Sequence, residues 1–238
     1  MLQLNVQNET SRLRAVVLGL AINNGPTPSI AEAYDPKSLE HIIAGTYPLE
    51  ADIVNEMEAF NAVFQKYNVT VFRPEMIENY NQIFARDIGF VIDDIFIKAN
   101  ILPDRERELD AIQYIINQIN PSKVIRPPED VHIEGGDVML WKNYIFIGTY
   151  KGSDYKDYIT ARTNWQGVNY IKELFPNKTR WDDFYNNRKW FFVLSADSEV
   201  PFSAFKARFS NEEFPRQLRT IFPISRGFNL QSRSYLLL

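Results

Sequence analysis

The apolar positions of the chain fall into short, punctuated runs rather than long helical stripes. Leu13–Leu20 (Leu-Arg-Ala-Val-Val-Leu-Gly-Leu) predicts a buried first strand. From Ala21 to Tyr47, Pro, Gly and Asn break the pattern and predict a long loop with one helical turn at about Pro36–Ala44. Loops of that length in compact domains often serve as lids or binding loops. Leu49–Tyr67 places Ile53, Met57, Phe60, Val63 and Phe64 at helical spacing, and Val69–Phe72 reads as a short strand stopped by Pro74.

Two later stretches share one pattern. The first, Gln82–Ala99, carries Asp87, Gly89, an apolar strand, a two-residue turn at Asp93-Asp94 and a returning apolar strand. A helix is expected from Asp104 to Asn117, with Asp104 as its N-cap, and then a short strand at Val124-Ile125 before Pro127-Pro128. The second stretch, Val131–Gly148, has a short strand, a Gly135-Gly136 bend, and the runs Val138–Trp141 and Tyr144–Ile147 turned at Lys142-Asn143. A helix from about Thr163 to Leu174 follows, ended by Pro176. In each copy an acid, Asp87 or Asp137, opens the hairpin. A period of roughly 45–50 residues points to copies arranged around a common axis, on which such acids would converge. A plain α/β sandwich with coincidental hairpins is the competing arrangement.

Composition narrows the field mainly through what is absent. The 238 residues, 45% hydrophobic and 14% aromatic, can bury a sizeable core. A net charge of −4 argues against a nucleic-acid or anionic-membrane partner. No apolar run approaches bilayer length, and Met1–Asn5 lacks the basic region and apolar core of a secretory leader. A cytoplasmic location is the simplest expectation. The chain has no cysteine, which removes disulfides, thiolate metal sites and any cysteine nucleophile from it. Its only histidines are His41 and His132. Residues 179–238 hold 9 of the 17 Phe and carry 9 basic against 6 acidic residues, a charge of +3, leaving −7 for residues 1–178. That shift divides the chain into an α/β portion, 1–178, and an atypical Phe/Arg-rich tail, 179–238, expected to pack poorly.

The chemistry concentrates at Glu134 and Asp137, which flank the Gly135-Gly136 bend. An acid pair beside a bend where backbone can be approached closely suits a metal, a guanidinium or another cation. Two solvated acids in a tight turn are the plain alternative. His132 and Glu134 share one strand face, so a metal hydrolase using His132, Glu134 and Asp137 is a second reading, although no third histidine completes it. A third is a non-catalytic interaction module that binds through its Phe-rich tail.

Phe84-Ala85-Arg86-Asp87, Ile133-Glu134-Gly135-Gly136-Asp137 and Arg162-Thr163-Asn164 resemble, in that order, three signatures of the guanidino-group-modifying superfamily. That superfamily holds arginine deiminases, dimethylarginine hydrolases and glycine amidinotransferases. The resemblance covers about residues 8–178 and implies an incomplete five-bladed α/β propeller (pentein) of ββαβ repeats, with roughly three units recognisable. It implies that Asp87 binds and deprotonates a substrate guanidinium and that Glu134 is the second acid of the clamp. Two carboxylates approaching from different directions match the donor fork of a guanidinium. Arg162 would hold the α-carboxylate of an arginine-like substrate. Arg105 (or Arg107) would be a further basic contact, and Asp137 lies beside the clamp among the substrate-binding candidates. For Arg105 and Arg107 the competing reading is a solvated helix face with i,i+3 ion pairs.

The resemblance calls for no cofactor and no metal. Its chemistry does call for a His-x-Asp motif and a late cysteine: the thiolate attacks the guanidinium carbon to give a covalent amidino-enzyme, and the histidine moves the protons. Residues 179–238 contain neither His nor Cys. The implied protein is deiminase-like or amidinotransferase-like, altered or truncated after about residue 178. It would bind an arginine-like ligand at best weakly and turn nothing over, and open strand edges would favour association with a second copy.

Overall fold

A computed structural model describes residues 1–33, 36–141, 143–149, 163–178 and 235–238. In chain order the elements are β1 (Ala15–Leu18), α1 (Pro36–Ile43), α2 (Glu50–Lys66), β2 (Thr70–Phe72), β3 (Gly89–Ile92), β4 (Ile95–Lys98), α3 (Arg107–Asp110), α4 (Gln113–Ile116), β5 (Val124–Ile125), β6 (Val138–Trp141), β7 (Tyr144–Ile147), α5 (Trp165–Leu174) and β8 (Tyr235–Leu237). They form three small sheets, ordered β2-β1-β8, β3-β4-β5 and β6-β7. The first two sheets have the same plan. An antiparallel pair (β8/β1 or β3/β4) is extended by a parallel strand (β2 or β5) reached through a helical crossover. The third sheet is an antiparallel hairpin followed by α5.

Local chemistry explains most of these elements. The expected turn between β3 and β4 is formed with Asp93 at φ 54°, a left-handed position that Asp tolerates better than most residues. Helix α2 ends in a Schellman motif: Asn68 takes φ 55°, its N–H donates to Gln65 O at 3.0 Å, and Val69 N–H donates to Phe64 O at 3.0 Å. Helix α5 starts at Asn164, whose Oδ1 accepts from Gly167 N–H at 2.9 Å.

The expected helix from Asp104 to Asn117 is instead broken. A 3-10 turn over Pro103–Arg105, with Leu102 rather than Asp104 at its cap position, is followed by the separate short helices α3 and α4. The cause lies at Ala111. Its carbonyl accepts from Glu75 N–H at 2.8 Å, and Ile115 N–H turns to Ile112 O instead.

β1 is buried on both faces, which explains its unbroken apolar run. Ala15 and Val17 belong to the main core with the β3–β4 and β6–β7 hairpins, while Val16 and Leu18 pack with Ile53, Met57 and Phe64 of α2. The units are joined by isolated bridges, Leu20 with Gln82 and Asn100 with Ile133. Asn100 Nδ2 also donates to Pro128 O at 2.6 Å and Val131 O at 3.0 Å.

The expectation of a poorly packed tail does not extend to its last four residues. β8 pairs antiparallel with β1, Leu236 and Leu238 join the main core, and Leu238 N–H donates to Ala15 O at 3.1 Å. Three consecutive leucines supply the apolar surface that draws this segment onto β1. Among the described residues no helix is long and apolar enough to cross a membrane.

Candidate functional site

The two acid-bearing turns lie against each other. Asp87 follows a tight turn in which its N–H donates to Phe84 O at 3.0 Å, and Glu134 leads into the 3-10 turn Gly135–Asp137. Gly135 N–H donates to Asp87 O at 3.2 Å and so joins the two turns. Their approach requires glycine: a Cβ at residue 135 would sit 2.2 Å from Arg86 O and 2.5 Å from Gly89 O, both backbone atoms. Asp87 is 1% exposed and Glu134 3%. A carboxylate this buried is costly unless its charge is answered.

Arg86 clamps the same junction from the other side. Its Nη1 and Nη2 donate to the two oxygens of Glu9 at 2.9 and 2.8 Å, a bidentate pair. Arg86 Nη2 also donates to Val138 O at 2.8 Å, and Nε to Gly135 O at 3.3 Å. One guanidinium therefore ties the N-terminal segment, the Asp87 turn and the start of β6 together.

Arg105 does not occupy a solvated helix face. Its guanidinium is turned inward, with Nη1 donating to Asp87 Oδ2 at 2.9 Å and Nη2 to Phe84 O at 3.3 Å. Nε and Nη2 donate to the two oxygens of Glu108 at 2.6 and 3.0 Å. The i,i+3 pair is present, but Glu108 is 2% exposed, so the pair is a buried one. Burial opposes the charged form of Arg105. The carboxylates of Asp87, Glu108 and Glu134 outweigh burial and hold its pKa above the ordinary value. Arg107, by contrast, lies over the ring of Tyr80 at 5.4 Å. The Tyr80 hydroxyl donates to Asp104 O, and burial ahead of the Glu108 charge raises its pKa.

Asp137 is not the counterpart of Asp87 that the repeat pattern predicts. It is partly exposed, and its Oδ2 accepts from Thr163 Oγ1 at 2.8 Å. Glu134, ahead of Asp137 and next to Gly135, is the carboxylate set beside the Asp87 turn. Arg162 lies outside the described residues, but its neighbours have structural contacts. Thr163, fully buried, accepts from Glu134 N–H at 3.2 Å, and its carbonyl accepts from Thr149 Oγ1 at 2.6 Å. Asn164 accepts from His132 N–H at 3.2 Å and donates to Asp130 O at 2.9 Å. Thr163 thus fixes both acids of the Glu-Gly-Gly-Asp turn. Replacing it with valine should destabilise the protein by about 1–3 kcal/mol in urea melts, because Glu134 N–H and Asp137 lose their buried partner together. A change indistinguishable from zero would show that water or another group takes over.

The metal-hydrolase reading is not supported. Among the described residues no three His, Asp or Glu side chains gather so as to hold a metal ion, and His132, Glu134 and Asp137 do not converge. Sequence reasoning missed Glu9 altogether and gave no role to Arg86, Thr163 and Asn164, although they stand inside the signatures around Asp87 and Arg162. Glu108 carried a signal of its own, its i,i+3 spacing from Arg105.

The chain is an α/β protein of small sheets, and its fold is similar to that of amidinotransferases. Its solved structural relatives bear this out. An amidinotransferase of the saxitoxin biosynthetic pathway from Microseira wollei superposes with a TM-score of 0.58 at 16% identity, over 74% of this chain and 62% of the other. Inosamine-phosphate amidinotransferase from Streptomyces griseus gives 0.50 at 16% identity, over 71% of this chain and 59% of the other. The N-terminal domain of a cyanobacterial arginine dihydrolase of the ornithine-ammonia cycle, bound to substrate, gives 0.50 at 12% identity, over 68% and 55%. This chain therefore spans less than two thirds of each. No protein-family model matches the sequence, and no curated protein resembles it significantly in sequence.

Proposed function

We infer that the chain is a guanidino-ligand-binding protein, deiminase-like or amidinotransferase-like in ancestry, that does not carry out covalent amidino chemistry with residues of its own. One observation carries this reading. Two buried carboxylates on adjoining turns, Asp87 and Glu134, sit in a fold shared with enzymes named for amidino transfer and arginine hydrolysis. The desolvated site already accommodates a guanidinium, that of Arg105, on Asp87. Arg162, one residue before Thr163, is assigned the ligand's carboxylate, and Asp137 a place at the rim. With no cysteine in the chain, no side chain present is a comparable nucleophile toward a guanidinium carbon.

Thermal shifts with arginine, agmatine and guanidinoacetate test the reading. Wild-type protein should be stabilised in a concentration-dependent way, since a ligand that binds only the folded state shifts the unfolding equilibrium by mass action. Asp87→Asn should abolish that response, while a change at the exposed Glu106 should leave it intact. An undiminished response from Asp87→Asn protein would remove Asp87 from the site. Citrulline or ornithine release from arginine by cysteine-free material would overturn the expected lack of turnover.

A further inference from the structure

We propose that Arg105 is a built-in guanidino ligand, which keeps the acid clamp occupied, and that a free guanidino compound binds by displacing it. The proposal rests on the reading of Asp87 as a guanidinium-binding acid. It goes beyond that reading by assigning Arg105 to the ligand's own position, where the resemblance had made it a contact for the ligand.

Three features support it. The Arg105 guanidinium is held as a bound ligand would be, by a monodentate bond to Asp87 Oδ2 at 2.9 Å, a bidentate bond to Glu108 at 2.6 and 3.0 Å, and a contact with Phe84 O at 3.3 Å. Every group that receives it is buried or is backbone: Asp87 is 1% exposed and Glu108 2%. The clamp is also left incompletely used. Asp87 Oδ1 is buried and has no hydrogen-bond partner among the described residues, so a monodentate resident leaves capacity that a free guanidinium could take up. A planar donor fork matches these acceptors better than an ammonium does.

Displacement is sterically economical. Arg105 belongs to a three-residue 3-10 turn, Pro103–Arg105, that precedes the short helix α3, so its side chain can swing out without unwinding a long element. A ligand that must wait for this swing binds with an apparent affinity reduced by the fraction of time the site stands open. Loss of one or two charge-assisted bonds from the resident should therefore tighten ligand binding by roughly 10–100-fold.

The experiment compares wild type, Arg105→Ala and Arg105→Lys by calorimetry and thermal shift, with agmatine and with low concentrations of guanidinium chloride. Sodium chloride and methylammonium chloride at matched ionic strength serve as controls. Arg105→Ala should be less stable than wild type, and guanidinium, but not methylammonium, should restore much of the lost Tm. Both variants should bind agmatine more tightly than wild type. Should Arg105→Ala fail to fold even with guanidinium present, Arg105→Lys decides, because an ammonium loses the donor fork and loosens the resident while leaving every acceptor in place. Equal agmatine affinity in wild type and Arg105→Lys overturns the displacement idea while leaving the proposed function standing. A folded Arg105→Ala protein rescued equally by methylammonium overturns it as well. If none of the three proteins binds any guanidino compound, the proposed function falls with it.

Discussion

Gly135→Ala protein should lose about 3 kcal/mol or more of stability and its response to guanidino ligands with it. Overpacking a well-filled site usually costs about 1–3 kcal/mol because neighbouring side chains can give way. Here the added Cβ would meet Arg86 O and Gly89 O at 2.2 and 2.5 Å, and backbone cannot be rotated aside. The Asp87 and Glu134 turns would have to separate, breaking the Gly135 N–Asp87 O bond and disturbing the Arg86–Gly135 contact. Gly45 provides the control. A Cβ there would meet nothing within 4 Å, and its φ of +65° limits the cost of alanine to about 1–2 kcal/mol of left-handed strain. Urea melts of both proteins measure the difference. Equal losses at the two positions would mean that the turns are not packed as closely as 2.2 Å implies.

Leu236→Ala should destabilise the protein by about 2–5 kcal/mol, the usual range for truncating a buried leucine. Leu236 is 1% exposed, opposite Val17 in the β1–β8 pair and within the main core. That loss is a large share of the 5–15 kcal/mol typical of a domain. Removing residues 235–238 altogether should cost more, since the β1 edge also loses its hydrogen-bonded partner. An effect below about 0.5 kcal/mol, the range of an ordinary surface change, would show that the C-terminal strand is not seated on β1 in solution. The two predictions concern different structures: Gly135 sets the site, and Leu236 holds the sheet that begins the chain.

Local pattern determined a good deal about this protein. The β3–β4 and β6–β7 hairpins, α2 and α5 were legible because each buries one face or one run of its own residues, so the period of that burial is written into the sequence. The apposition of Glu134 with Gly135-Gly136, and the presence of Asp87 ahead of Gly89, marked the two turns that meet. The absence of cysteine, a plain fact of composition, bounded the chemistry more firmly than any element did.

Tertiary structure alone decided the rest, because periodicity records that a face is covered without saying by what. Nothing near Leu236 indicates that its partner is Val17, far away at the other end of the chain. The break at Ala111 depends on Glu75 N–H, a donor from another loop that competes with the helix for one carbonyl. The repeat pattern matched Asp87 with Asp137, yet Thr163 takes Asp137 and the backbone of Gly135 brings Glu134 to the Asp87 turn. Arg105 and Glu108 looked like a surface pair by spacing. Only the fold, by removing water from both and placing Asp87 within 2.9 Å, made that guanidinium part of the site.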